Sequence, residues 1–257
     1  MSNFAQAVYV ETLKARRSRV SLFTALGIVL LPLAGGFFML VLKDPEMALR
    51  VGLINAKARL VVGVADWPSY LGFLTQAVAG GGIVLFGLIV SWVFGREYSD
   101  RTVKDLLALP TSRSSVVLAK FGVVAAWSAG LTVLTCLVGL GIGAAIQLPG
   151  ATTPALLQGM SNILVAGSMA IALVTPIAFF ASAGRGYLAP IGFVFLLSLL
   201  TQVLSAAGWG EFFPWAIPGL FSQGADLGLI SYAIVVLTGL VGIAATLVWW
   251  ERVDQAR

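Results

Sequence analysis

The chain has 257 residues, 59% hydrophobic and 11% charged, with a net charge of +5 and a mean hydropathy of +0.97. A soluble domain carries about 25% charged residues, so these values describe an integral membrane protein with several spans and no separate globular domain. There is no histidine and a single cysteine, Cys136 within an apolar run, which excludes His-based metal sites, His-dependent nucleophiles and an internal disulfide.

Residues 1–20 open with a short helical pattern in which Phe4, Val8 and Ala15 share one side while Arg16 and Arg17 project elsewhere. Lys14, Arg16, Arg17 and Arg19 lie directly before an apolar run and place that end in the cytoplasm. The segment reads either as an interfacial helix on the inner surface or as a basic tail. Ser21–Leu42 is the first span, with Pro32 and Gly35–Gly36 as a kink site. An outer segment follows, where Glu46, Arg50 and Lys57 form a stripe opposite Met47, Val51, Ile54 and Ala58, the pattern of a helix along the outer surface.

The second span is read over 68–94, with Trp67 at the membrane interface and Pro68 at a first helical position. Its Gly80–Gly81–Gly82 permits close helix approach or local unwinding. The third span is placed at 116–146 and contains Gly139 and Gly143, a GxxxG pair whose usual meaning is helix packing. The fourth covers 161–182 with Pro176, the fifth 190–207 and the sixth 229–250; a tight inner turn between the fourth and fifth carries Arg185. Between the fifth and sixth, 209–221 is too short and too interrupted by Pro214 and Pro218 to cross. Its Phe and Trp content reads as a re-entrant outer hairpin or as an aromatic-belt loop. The expected fold is therefore all-α, a single polytopic domain of six transmembrane helices. Twelve of the 16 basic residues then fall on one side, and the other four, Lys43, Arg50, Lys57 and Arg59, lie between the first two spans. This asymmetry puts both termini in the cytoplasm. The basic residues sit at span ends and form no groove-like patch, so nucleic acid is not an expected partner.

The longest polar interval, Gly95–Lys120, carries the functional signal. At roughly 100° per residue, Val103, Leu106, Leu107 and Leu109 face one way, and Asp100, Arg101, Lys104 and Asp105 the other. The i,i+4 pairs Asp100–Lys104 and Arg101–Asp105 support a solvated face, Ser99 or Asp100 can cap the start, and Pro110 stops it. Thr111, Ser112 and Ser114 offer caps for the next helix. The stretch predicts a short cytoplasmic helix on which a soluble partner pushes; an ordinary loop is the other reading.

The same stretch resembles the first cytoplasmic loop of ATP-binding-cassette exporter permeases of the second type. Those show an acidic residue after the second span, then a Thr, a Leu pair, a Pro and an Arg, matched here by Glu97, Thr102, Leu106, Leu107, Pro110 and Arg113. The flanking SWVFGRE, LAKF and ADWPSYLGFL are similar to the bacitracin- and lantibiotic-resistance branch. The resemblance implies a permease subunit of the cell membrane that pairs with a second permease copy, as homodimer or heterodimer, and with ATPase subunits. Val103, Leu106 and Leu107 would then enter a cleft on the ATPase, with Glu97, Asp100, Arg101 and Lys104 fixing register. The family's translocation path lies along spans two and five, which makes Ser198, Thr201 and Gln202 substrate-path candidates. Its branch suggests a hydrophobic or amphipathic cargo such as a peptide antibiotic.

The apolar runs show no ionisable residue in their middles, which disfavours a proton-coupled pump, and no lysine is read as lying within a span, which disfavours a serine/lysine peptidase. No Gly-Lys dipeptide occurs, so a Walker A loop cannot form here and no cofactor is expected on this chain; ATP and Mg²⁺ would sit on the partner. A self-sufficient channel or secondary transporter, and a non-transporting structural or regulatory subunit, are the alternatives.

Overall fold

Lipid offers no hydrogen bonds to a peptide group, so each apolar run must satisfy its own backbone, and it does so by coiling. In a computed structural model, which describes residues 3–44, 63–103 and 111–252, the chain is all-α, and six helices are long and apolar enough to cross a membrane. The expected outer helix with its Glu46, Arg50 and Lys57 stripe lies outside the described residues.

Helix α1 (Asn3–Arg17) precedes α2 (Arg19–Lys43), the first span; Ser18 separates them by accepting from the Val20 N–H. The second span, α3 (Trp67–Ser99), outruns its expected end at 94 by a full turn and is not unwound at Gly80–Gly82. The third is α4 (Arg113–Ala145), capped by Ser112, whose hydroxyl accepts from the Ser115 N–H. The fourth begins at Thr153 rather than 161, because Thr152 caps it and Pro154 suits its first turn. It is split into α5 (Thr153–Leu173) and α6 (Thr175–Ala183), and α7 (Leu188–Ala206) is the fifth span. After two 3₁₀ turns, Gly210–Phe212 and Pro214–Ala216, come α8 (Ile217–Ser222) and the sixth span, α9 (Leu229–Arg252).

The bundle is built around α3, which packs most extensively against α5 and also touches α2, α4, α6, α7 and α8. The outer helices leave apolar rows uncovered, such as Leu22, Phe23, Leu26 and Leu30 on α2 and Phe195, Leu196, Leu199 and Val203 on α7. Uncovered rows of this kind suit lipid contact. Small residues set the close crossings. A Cβ at Gly139 would lie 2.6 Å from Leu74, and one at Gly143 would enter the Trp67 ring, so the GxxxG pair seats α4 on α3. Trp67 is accordingly 4% exposed, packed on Gly143 and not turned out toward lipid, and its backbone N–H donates to the Pro149 carbonyl. Pro32 does not interrupt α2; its carbonyl accepts from the Tyr70 hydroxyl at 3.0 Å.

The split in the fourth span follows from Pro176. Lacking an N–H, it leaves the Ala172 carbonyl without its i+4 donor, and the Thr175 hydroxyl donates there instead (2.9 Å) and to Gly239 on α9 (2.8 Å). Ile177 turns its N–H to Val174, which frees the Leu173 carbonyl for the Trp215 indole at 3.1 Å. Gly242 lets α9 approach, since any Cβ there would collide with Thr175 and Pro176. Trp215 reaches Leu173 and stacks edge-on with Phe193, near the start of α7, although the segment leaves from that helix's other end. Residues 209–221 therefore double back into the bundle, with Ala216 and Ile217 buried, while Trp209 and Phe212 stay exposed.

Candidate functional site

Among the described residues two places gather polar side chains, one at the end of α3 and one partway along it. The first is a charge cluster where α1, the end of α3 and the start of α4 meet. Lys120, two turns into α4, is fully buried, and its ammonium donates to Glu11 (3.0 Å), Glu97 (3.0 Å) and the Val93 carbonyl (3.1 Å). Lys14 donates to the same two carboxylates, both at 2.9 Å. The Arg96 guanidinium lies 3.4 Å from Glu97 and 3.8 Å from Glu11, stacked 4.7 Å over the Trp92 ring. Three cations thus surround two carboxylates, contributed by three helices. The expectation that no lysine lies within a span is corrected: Lys120 falls inside even the third span as placed at 116–146, and it is tolerated because all three of its N–H groups have acceptors.

Glu97 was expected to fix the register of a partner. It is instead 3% exposed and turned inward, with Thr102 donating to its second oxygen at 2.7 Å. The Thr102 N–H also bonds the Glu97 carbonyl, and the Arg101 N–H bonds that of Tyr98, the pattern of a Schellman ending to α3. Arg101 takes the left-handed position at φ 58°, where glycine is usual and another residue costs about 1 kcal/mol. The interval following α3 is therefore pinned at its first residues to the charge cluster. Asp100 closes α3 and does not open a new helix; it and Arg101 are exposed, and Val103 is buried. Lys104, Leu106, Leu107 and Pro110 lie outside the described residues. Arg113 points inward along the bundle end, donating to the Trp250 carbonyl at 3.1 Å, while the Trp250 indole donates to Ser182. The 184–187 turn covers Gly95, whose Cβ would lie 3.0 Å from the Tyr187 ring; burial raises the Tyr187 phenol above its ordinary pKa.

The second place is a cavity of about 390 Å³ between α3, α7 and the doubled-back segment. Ser198, Thr201 and Gln202 all line it, together with Gln76, Gln223 and Trp215. The Ser198 and Thr201 hydroxyls donate to carbonyls of their own helix and the Gln223 amide to the Gly219 carbonyl, so among the described residues the Gln76 and Gln202 amides are its freest polar groups. Its lining carries no charged side chain. Among the described residues no three His, Cys, Asp or Glu side chains gather as a metal would need.

Of the cluster, the sequence alone marks only Glu97 as a site residue, and no local pattern marks Glu11, Arg96 or Lys120 as its companions. The available signal was a lysine inside an apolar run, which demands a buried counter-ion.

Six apolar helices carrying an ionic cluster at one end and an uncharged cavity toward the other define a multi-pass membrane protein of the transporter class. Residues 7–201 match the family model described as ABC-2 family transporter protein, and the chain belongs to that family. It is also similar to the "Bacitracin transport permease protein BCRB" of Bacillus licheniformis, 28% identical over 177 residues, covering 67% of this chain and 85% of the relative. The chain is thus a permease of the cell membrane, as its resemblance to this branch implied.

Proposed function

We propose that this chain is the membrane subunit of an exporter whose ATP is hydrolysed, with Mg²⁺, by a separate ATPase, and that it works as a pair with a second permease copy. The basic end, holding the charge cluster, faces the cytoplasm; the polar interval 100–115 receives the ATPase, and the cavity holds cargo on its way out. The observation that carries this reading is the pinning of that interval to three helices at once through Glu97. A push on it reaches α1, α3 and α4 together, because buried ion pairs do not stretch independently. The cavity, apolar with amide and hydroxyl groups and no charge, suits a hydrophobic or amphipathic cargo. The bacitracin-permease relative points to a peptide antibiotic.

Orientation is checked by labelling. Cysteines at Ser112 and Arg185 should react with a membrane-impermeant reagent only from the cytoplasm, and one at Thr152 only from outside. Labelling of Ser112 from outside in intact cells would overturn the placement.

The transport reading is tested by purifying the chain with a candidate ATP-binding-cassette ATPase from the same cell and measuring ATP hydrolysis in proteoliposomes. We expect hydrolysis to depend on both chains and to rise several-fold with a cyclic peptide antibiotic, and Gln202→Leu, within the cavity, to blunt that rise. A chain that moves solute without any ATPase would be a channel or secondary transporter. Hydrolysis indifferent to every peptide tried would remove the cargo assignment.

A further inference from the structure

Beside α1, on the side away from the charge cluster, a groove of about 470 Å³ runs between that helix and α4. Val8 and Ala15 form one wall, Val123, Ala126 and Trp127 the other, and Arg16 lies at one end. We propose that this groove holds an acyl chain of an anionic phospholipid, with the headgroup phosphate on Arg16. The inference is independent of the transport reading.

Three observations carry it. First, the groove is apolar and open to the side: Gly122 and Ala126 are exposed, and a Cβ on Gly122 would meet nothing within 4 Å. Along α4 the exposed Gly122 and Ala126 share a helix face with the exposed Leu118 and Val133, so the groove belongs to the lipid-facing surface. Second, its polar groups are unequal. The Thr12 and Ser21 hydroxyls donate to the Val8 and Ala15 carbonyls, at 2.7 and 2.5 Å. Arg16 lines the groove, is exposed and makes no ion pair or hydrogen bond among the described residues, so its guanidinium donors are unspent. Third, the local charge is one-sided. Glu11, the only acid of α1, is occupied by Lys14 and Lys120, which leaves Arg16, Arg17 and Arg19 without a carboxylate from α1. A planar guanidinium beside an apolar groove at a helix end matches a phosphate joined to an acyl chain.

Helical spacing separates Arg16 from its neighbour. At roughly 100° per residue Arg16 falls within a quarter-turn of Val8 and Thr12, whereas Arg17 falls on the opposite side and does not line the groove. The sequence-based expectation that both arginines project away from Val8 therefore holds only for Arg17.

The test uses the full-length chain, delipidated in detergent and titrated with phosphatidylglycerol or phosphatidylcholine, with bound lipid counted by native mass spectrometry. We expect a saturable phosphatidylglycerol on wild type and weaker binding of phosphatidylcholine. Arg16→Gln should weaken phosphatidylglycerol binding about tenfold. Arg17→Gln should change it less than about twofold, since an exposed charge off the site acts only through screened attraction. Ala126→Phe, which fills the groove without altering charge, should abolish the saturable site. Equal binding of the two lipids, equal losses from Arg16→Gln and Arg17→Gln, or undiminished binding by Ala126→Phe would each overturn the proposal. Arg16→Gln alters only an exposed side chain, so it reports even where Ala126→Phe expresses poorly.

Discussion

Replacing Lys120 by Met should destabilise the permease by about 3–5 kcal/mol, the cost of removing one partner from a buried ion pair. Methionine nearly matches the stem in volume, so the loss would come from charge and not from a cavity. Glu11 and Glu97 would lose a donor each and be left with Lys14 and Arg96, of which Lys14 is partly solvated. The Val93 carbonyl would lose its ammonium donor as well. The effect should be visible as a fall in the detergent unfolding midpoint and as lower recovery of monodisperse protein. Adding Glu97→Gln to Lys120→Met should restore part of the loss, because the second change removes a carboxylate that the first left under-compensated. A Lys120→Met protein with the wild-type midpoint would show that the cluster contributes nothing to the fold.

Replacing Leu106 and Leu107 together by Ala should weaken assembly with the ATPase by roughly 2–4 kcal/mol, the scale of hot-spot truncation. Expression and membrane insertion should persist, because neither leucine belongs to a span. Reversing Asp100 and Lys104 should do less, since an exposed pair contributes up to about 1 kcal/mol. Co-purification of the ATPase at matched membrane levels measures both. Equal recovery with wild type and the double-Ala variant, with equal ATPase activity, would leave 100–115 as a plain loop and take away the docking interpretation. It would not touch the charge cluster, whose contacts are all internal to this chain.

The two variants probe different residues for a physical reason. An acid following the second span reads, from sequence, as a surface charge, because carboxylates usually remain in water. Glu97 escapes that rule because Lys120 and Lys14 come to it from 23 and 83 positions away along the chain, and no local pattern records such a meeting. Arg113 shows the same thing. It sits where a docking residue was expected, yet it donates to a carbonyl of the last span. Pro176 was visible as a disturbance of the fourth span, but that Thr175 and Trp215 would satisfy the carbonyls it frees was not, since Trp215 lies 42 residues from Leu173, whose carbonyl it satisfies.

By itself the sequence determined the all-α class, the six spans, the GxxxG contact of Gly139 and Gly143, and the branch of permeases to which the chain is similar. Those follow from hydropathy summed over a helix length and from short ordered motifs, both of which are local. Only the tertiary structure decided that α3 is the central helix, that 209–221 turns back into the bundle, and that Ser198, Thr201 and Gln202 share a cavity with Gln76 and Gln223. It alone decided that five charges from three helices, three cations and two carboxylates, pair with one another at the head of the polar interval. Burying a charge is prohibitive alone and tolerable when paired, so whether a charged residue lies inside or outside depends on partners far along the chain, which a linear reading does not contain.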